Sequence, residues 1–243
     1  MKIFKVFAAK MILLVMFTGI ANATPSTQIW IPSSDIQAFK KLHLGLDTYI
    51  KTESQDGVLE ATVTNLGLTV GVLPFEKVQA EVGVDYRDAN GNHKYPLLFN
   101  VKVGTPEGAL FEGSPAIAVG GYDFGTESDV TDYNIIYGLV AKTFGKVGRI
   151  SAGYYTGNED LLLDIDGKED NSGLLLSWDR TISEISDKLW AAVDYQGGKN
   201  GYGALSFGAA WKFAPNVGVI FGYDIYNEST YKPTATVQLD IDF

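Results

Sequence analysis

Two histidines and no cysteine bound the chemistry open to this chain of 243 residues. Without a thiol there is no disulfide, no thiolate zinc ligand, no cysteine nucleophile and no lipid-modified N-terminal cysteine. His43 has Asp47 four residues on. In an extended segment the two side chains share a face but stand about 13 Å apart, too far for a direct His–Asp pair. His93 lies in the polar run Asn90-Gly91-Asn92-His93, with no neighbouring strand serine to activate. The stretch 157–173 is acidic, and its Asp164-x-Asp166-Gly167 resembles the start of a calcium loop. Counted from Asp164, however, position six is Glu169 where such a loop needs Gly, and position twelve is Leu175 where it needs Glu. A solvated acidic loop is the plainer reading, with weak divalent-cation binding by Asp164, Asp166 and Asp170 as the alternative. The residue types point to no catalytic group and no cofactor.

The formal net charge is −10, which argues against nucleic acid, since that needs a basic face. A mean hydropathy of +0.03 is too polar for a helical membrane bundle. It is compatible with a membrane β-barrel, where only every second residue meets lipid. Lys2, Lys5 and Lys10 precede an apolar run from Met11 to Ile20, followed by the small-x-small site Ala21-Asn22-Ala23. That order reads as a secretory signal peptide over 1–23, and the run is too short to span a bilayer. Cleavage after Ala23 leaves 220 residues with a charge of −13.

Almost everything from Lys41 onward alternates. Leu42, Leu44, Leu46 and Ile50 fall on one face, and His43, Gly45, Asp47 and Lys51 on the other. The same period of two recurs along the chain. One instance sets Tyr133, Ile135, Tyr137, Leu139 and Ala141 against Asn134, Gly138 and Lys142. Four segments are less clean: 62–73, 115–124, 148–156 and 173–179. The pattern predicts twelve strands, within a range of ten to fourteen, from near Lys41 to the last residue. A single helical turn is expected around 33–39. Short turns alternate with longer polar loops, which is the asymmetry of a membrane barrel with turns in the periplasm and loops outside.

A soluble sandwich also alternates, so the polar face must discriminate. Here it is rich in small residues, such as Gly83, Gly104, Gly138 and Gly208, which leave room in a crowded lumen. Tyrosines such as Tyr49, Tyr86, Tyr133, Tyr154, Tyr155, Tyr195, Tyr223 and Tyr226 sort to the long-loop ends. Phe39, Phe75, Phe111, Phe144, Phe213 and Phe243 sort to the short-turn ends. Two aromatic belts suit the two interfaces of a bilayer. The lumen is expected to carry Asp47, Glu81, Asp85, Asp179, Asp194, Asp224, Asp240 and Asp242, opposed by Lys51, Arg87, Lys102, Lys142, Arg149 and Lys212. A barrel of this size has a backbone diameter of roughly 23–24 Å, and side chains leave ~10 Å of it open.

The final run Val237, Leu239, Ile241, Phe243, with Phe last, resembles the terminal-strand signature of Gram-negative outer-membrane β-barrels of the porin-like superfamily. The resemblance implies a transmembrane antiparallel up-and-down β-barrel over 41–243. It implies an outer-membrane location and recognition by the barrel-assembly machinery. Lipid and lipopolysaccharide then become partners, and weak cation binding by the acidic loop would bridge to lipopolysaccharide phosphates. Residues 24–40 are left as a periplasmic or lumen-plugging segment. Outer-membrane phospholipases use Asn, His and Ser near the outer leaflet, and neither histidine here has that setting. The expected function is a narrow passive channel for small solutes or ions, cation-preferring because the long loops hold thirteen acids against four bases. A closed barrel serving as a structural or loop-mediated binding protein is the second reading, and a lipid-acting enzyme the third.

Overall fold

The computed structural model describes residues 26–54, 57–89 and 94–243. The proposed signal peptide, His93 and the loop acid Asp56 lie outside the described residues. Twelve strands follow in order: β1 (Leu42–Lys51), β2 (Val63–Gly71), β3 (Gln79–Ala89), β4 (Leu97–Thr105), β5 (Ala116–Gly125), β6 (Ile135–Thr143), β7 (Arg149–Thr156), β8 (Ser172–Thr181), β9 (Leu189–Gln196), β10 (Ala204–Ala214), β11 (Val217–Tyr226) and β12 (Thr234–Asp242). Each pairs antiparallel with its chain neighbours, and β1 pairs with β12 to close the barrel. That seam runs from His43↔Asp242 to Lys51↔Thr234, and Leu42 and Phe243 exchange backbone hydrogen bonds beyond it. Closure leaves no edge strand, so backbone groups of the wall find partners inside the sheet. Strands of this length, tilted, match the thickness of a bilayer core.

The outward face is an apolar band. Leu46, Leu66, Val82, Val101, Val119, Ile136, Ile150, Leu176, Val193, Phe207, Phe221 and Val237 stand exposed around the whole circumference. In water such a surface would be untenable, and in lipid it is the required one. At the turn end Phe39, Phe75, Phe111, Phe144 and Phe213 are exposed, as an interfacial belt requires. At the loop end the tyrosines divide. Tyr86 and Tyr154 face outward, but Tyr155 is fully buried inside and Tyr49 and Tyr226 line the lumen. The loop-end belt is thus thinner than the spacing of tyrosines predicts.

One face assignment is inverted. Ile135, Tyr137, Leu139 and Ala141 of β6 point into the barrel, and Ile136 and Val140 point out. Ile135, Tyr137 and Leu139 join Tyr155, Leu162 and Leu175 in an apolar cluster that Ile31 of the N-terminal segment completes. Apolar side chains are stable inside because a plug and a folded-in loop cover them, which the period of two cannot show. Lys142, expected in the lumen, therefore lies on the outer side at the turn end. There its Nζ meets Glu107 at 2.8 Å and the Gly113 carbonyl at 2.9 Å.

The helical turn expected at 33–39 does not form. That stretch is irregular, because its polar groups bond to the wall instead of to one another. Phe39 then bridges to Gly71, leading the chain into β1.

The seam rests on the last strand, and its terminal aromatic carries the likeness to an assembly signal. Phe243→Ala keeps the backbone bonds to Leu42. It should nevertheless lower the yield of heat-modifiable, membrane-inserted protein. Unchanged insertion would remove the weight given to that likeness.

Candidate functional site

Residues 26–33 form a tight reverse turn inside the barrel. The Gln28 amide donates to the Ile31 carbonyl at 2.7 Å, and the Ser33 amide to the Ser26 carbonyl at 3.0 Å. At the tip, Ile29 and Ile31 are completely buried. The tip amides of Ile29 and Trp30 both donate to Asp194 Oδ2, at 2.7 and 3.0 Å. Gln238 Nε2 donates to the Ile29 carbonyl at 2.7 Å, and Trp30 Nε1 to the Tyr202 carbonyl at 2.8 Å. Ile29 packs against Ala192 and Ile220, and the bare backbone at Gly208 and Gly222 makes space for it: a Cβ at either would stand 2.9 or 2.7 Å from Ile29 atoms.

Charged wall residues tie the rest of the segment down. Arg149 Nη1 binds both oxygens of Asp35, at 2.8 and 2.7 Å, while its Nε donates to Asp179 at 2.9 Å. Asp179 also accepts from Gln28 Nε2 and Trp190 Nε1. Lys102 pairs with Glu81 at 2.9 Å and donates to the carbonyls of Asp35 and Ser26. Glu81 in turn accepts the Gln37 amide at 2.6 Å. The segment is thus held from β3, β4, β7, β8, β9 and β12. Each of these plug-holding charges meets an opposite charge or a backbone group, as burial demands.

Cavities lie on both sides of the plug. The turn-side one, about 900 Å³, is bordered by Asp35, Arg149, Asp179, Trp190 and Lys212. The loop-side one, about 380 Å³, lies between the plug and the β1–β4 wall. Asp240 borders both. On the loop side Arg87 forks onto Asp123 at 2.9 and 2.8 Å. Asp85 accepts amides from Asn65 and Asn100, and no cation bonds to it among the described residues. Asp47 lines the same cavity. Lys51 reaches Glu60 at 3.5 Å and the Lys232 carbonyl at 3.0 Å. Asp224 is fully buried and accepts from Thr234 Oγ1 at 2.6 Å.

Of the charges expected in the lumen, all but Lys142 stand on the inward face. Sequence reasoning missed Asp123. It follows the lumenal Tyr122 directly, and strict alternation would put it outside. The β4–β5 register slips between Phe99 and Val101, and Asp123 sits at a φ of 56°, so two consecutive residues turn inward. It missed the partners of His43 too. His43 Nδ1 lies 2.9 Å from Asp242 and its Nε2 3.3 Å from Asp240, both on the closing strand. Only knowledge of the seam could bring residues so far apart in the chain together.

The acidic loop is not arranged around a cation. Asp164 Oδ1 accepts the amides of Asp166 and Lys168, each at 2.9 Å, and Lys168 Nζ lies 3.2 Å from Asp166. Asp170 accepts the Lys199 amide. Among the described residues no group of three or more His, Asp or Glu is placed to hold a metal ion. The loop instead turns Leu162 into the apolar cluster.

Removing Asp194 leaves two buried amides without an acceptor, at a cost of about 1–3 kcal/mol each. Asp194→Ala should therefore speed hydrogen exchange at Ile29 and Trp30 by roughly one to two orders of magnitude, as that cost implies. Asp194→Asn, which keeps an acceptor oxygen, should change it less. Exchange at the wild-type rate in the alanine variant would mean that the wall does not hold the turn through this carboxylate.

No protein-family model matches the chain, and no curated protein does. Solved structures do. The KdgM porin aligns with a TM-score of 0.56 at 9% identity, covering 83% of this chain and 99% of the porin. An outer membrane channel from Pseudomonas putida F1 aligns with a TM-score of 0.52 at 12% identity, covering 86% and 97% respectively. At these identities the likeness is one of architecture. The closed wall of twelve strands, its outward apolar band and these likenesses agree: in fold, the chain is a closed antiparallel β-barrel similar to those of outer-membrane porins.

Proposed function

We propose that this chain is a narrow channel of the Gram-negative outer membrane, exported by a signal peptide cleaved after Ala23, that passes small cations beside its plug. The observation that supports the reading best is the pair Asp47 and Asp85 on the wall of the loop-side cavity. The basic residues that line that cavity are paired with other acids: Arg87 with Asp123, Lys102 with Glu81, Lys51 with Glu60, and His43 with Asp240 and Asp242. The space therefore carries excess negative charge in a confined setting, where it raises local cation concentration and repels anions. The long acidic loops extend the same sign of field beyond the mouth. On this reading ions and small solutes, not bulky chains, pass beside the plug through the loop-side and turn-side cavities, both of which Asp240 borders. No step of this reading needs a catalytic group.

The depth of the plug favours a second reading, a closed barrel that binds through its loop-side cavity. Single-channel recording on refolded protein separates the two. Discrete conductance supports the channel, and a silent bilayer with correctly folded protein supports the closed barrel. Under a KCl gradient the reversal potential should show cation preference, strongest in dilute salt, where the Debye length approaches ~30 Å, and weaker near 1 M, where it is ~3 Å. Neutralising Asp164, Asp166, Glu169 and Asp170 together should reduce selectivity in dilute salt only. Neutralising Asp47 and Asp85 should reduce it at every salt concentration. Anion preference in dilute salt would overturn the electrostatic reading.

Orientation has its own test. With loops outside and turns in the periplasm, a cysteine at Asp166 should label on intact cells and one at Asn216 should not. Equal or reversed labelling would overturn that orientation.

A further inference from the structure

The loop-side cavity has one wall with a recess cut into it. Gly45 of β1 and Gly67 of β2 face each other in register, and Gly83 of β3 lies beside Thr69 and Asn100. A Cβ at Gly67 would stand 2.5 Å from Asp85 Oδ1. One at Gly83 would stand 2.3 Å from Asn100 Oδ1 and 2.7 Å from Thr69 Oγ1. The missing side chains let these polar ends reach the cavity. Thr69 is only 7% exposed, and no hydrogen bond occupies its hydroxyl among the described residues. Asp47 adds a second carboxylate one step further along β1.

Aromatic rings bound the same space. Trp30, carried in on the tip of the plug, stands edge-on to Tyr49 at 5.3 Å and 86°, and to Tyr226 at 5.8 Å and 85°. The chemistry such rings offer is already in use here, since the ammonium of Lys51 sits 4.5 Å from the centre of the Tyr226 ring. Ring faces attract cations, and more strongly where water is excluded.

Other ligand classes fit less well. An anion would meet Asp47 and Asp85. A neutral molecule would leave both carboxylates uncompensated in a confined space. A calcium or magnesium ion needs six or more oxygens, and aromatic walls take much of that space here. We propose that the recess binds a small organic monocation, a primary or quaternary ammonium with an apolar body. Asp47 and Asp85 supply the charge, the Thr69 hydroxyl can act as an acceptor, and Trp30 and Tyr49 give the cation its aromatic wall. A cavity of about 380 Å³ suits a ligand of that size. This deepens the cation-channel reading by naming a class of solute, and it rests on that reading for access from outside.

The test is calorimetric titration of the refolded full chain with tetramethylammonium chloride and with butylammonium chloride, against potassium chloride at equal ionic strength. Saturable binding of the organic cations and none of potassium is the expected result. The double variant Asp47→Asn, Asp85→Asn should bind about tenfold more weakly or not at all, as expected for lost charge-assisted contacts. Tyr49→Leu, which keeps both acids, should weaken binding by roughly three- to tenfold. Heat-modifiability on gels shows that each variant is folded. Organic cations behaving like potassium, or unchanged binding in the double aspartate variant, would overturn the site. Binding in a protein that never conducts keeps the site and removes the channel. Conductance without binding does the reverse.

Discussion

Backbone amides carried into a barrel have no strand partner and little water, so the wall must supply their acceptors. In this protein one carboxylate oxygen, Asp194 Oδ2, takes two amides at the tip of the inserted turn. The rest of the interior depends on that capture. With the tip fixed, Ile29 is seated against Ala192 and Ile220, and Ile31 against the apolar cluster of β6, β7 and β8. With the tip fixed, too, Asp35 comes within reach of Arg149, and the carbonyls of Ser26 and Asp35 within reach of Lys102. Charged wall residues that could have paired across an open lumen bind a segment of the same chain.

The plug also makes the lumen two-sided. Against β6–β8 it presents apolar surface, and the wall answers with Ile135, Leu139 and Leu175. Toward β1–β4 it turns the Trp30 ring and leaves space. There the wall is lined with glycine, amide and carboxylate side chains. The same distinction explains why opposite charges did not simply annihilate one another. Arg149 and Lys102 are spent on the plug and their neighbours, Arg87 on Asp123 and Lys51 on Glu60, so Asp47 and Asp85 of the β1–β4 wall keep no ion-pair partner among the described residues.

Much of the architecture was legible because lipid and lumen impose opposite demands on successive residues. The strand count, the closing order of turns and loops, and the inward placement of Asp47, Glu81, Asp85, Arg87, Lys102, Arg149, Asp179, Asp194, Lys212 and Asp224 all follow from a period of two. It failed where the lumen is not polar. On β6, Tyr137 and Leu139 face inward because Ile31 and Leu162 cover them, and both of those come from outside the strands. With that face inverted, Lys142 moved to the rim. It failed at Asp123, where a bulge breaks the period. It could not pair His43 with Asp240 and Asp242, because contact across the seam depends on closure, which no local pattern encodes. The segment 24–40 has no periodicity, so the lumenal place of its residues from Ser26 on was readable only as one of two options.

Charge near the path can act from the loops or from the wall, and the two differ in range. At physiological ionic strength the Debye length is ≈ 8 Å, and solvated loop charges further than this from a passing ion are largely screened. Loop acids here are partly spent as well: Asp164 on its own backbone, Asp166 on Lys168, Asp170 on the Lys199 amide. The carboxylates of Asp47 and Asp85 stand inside a cavity between a sheet and a packed plug. Screening fails in such a space, and each unit of charge acts more strongly than in bulk water. The loops can gather cations, but the β1–β4 wall is where an ion or ammonium would be distinguished from its competitors. If the barrel conducts as proposed, discrimination would be set by the N-terminal turn, since its position decides how much of that wall is left open.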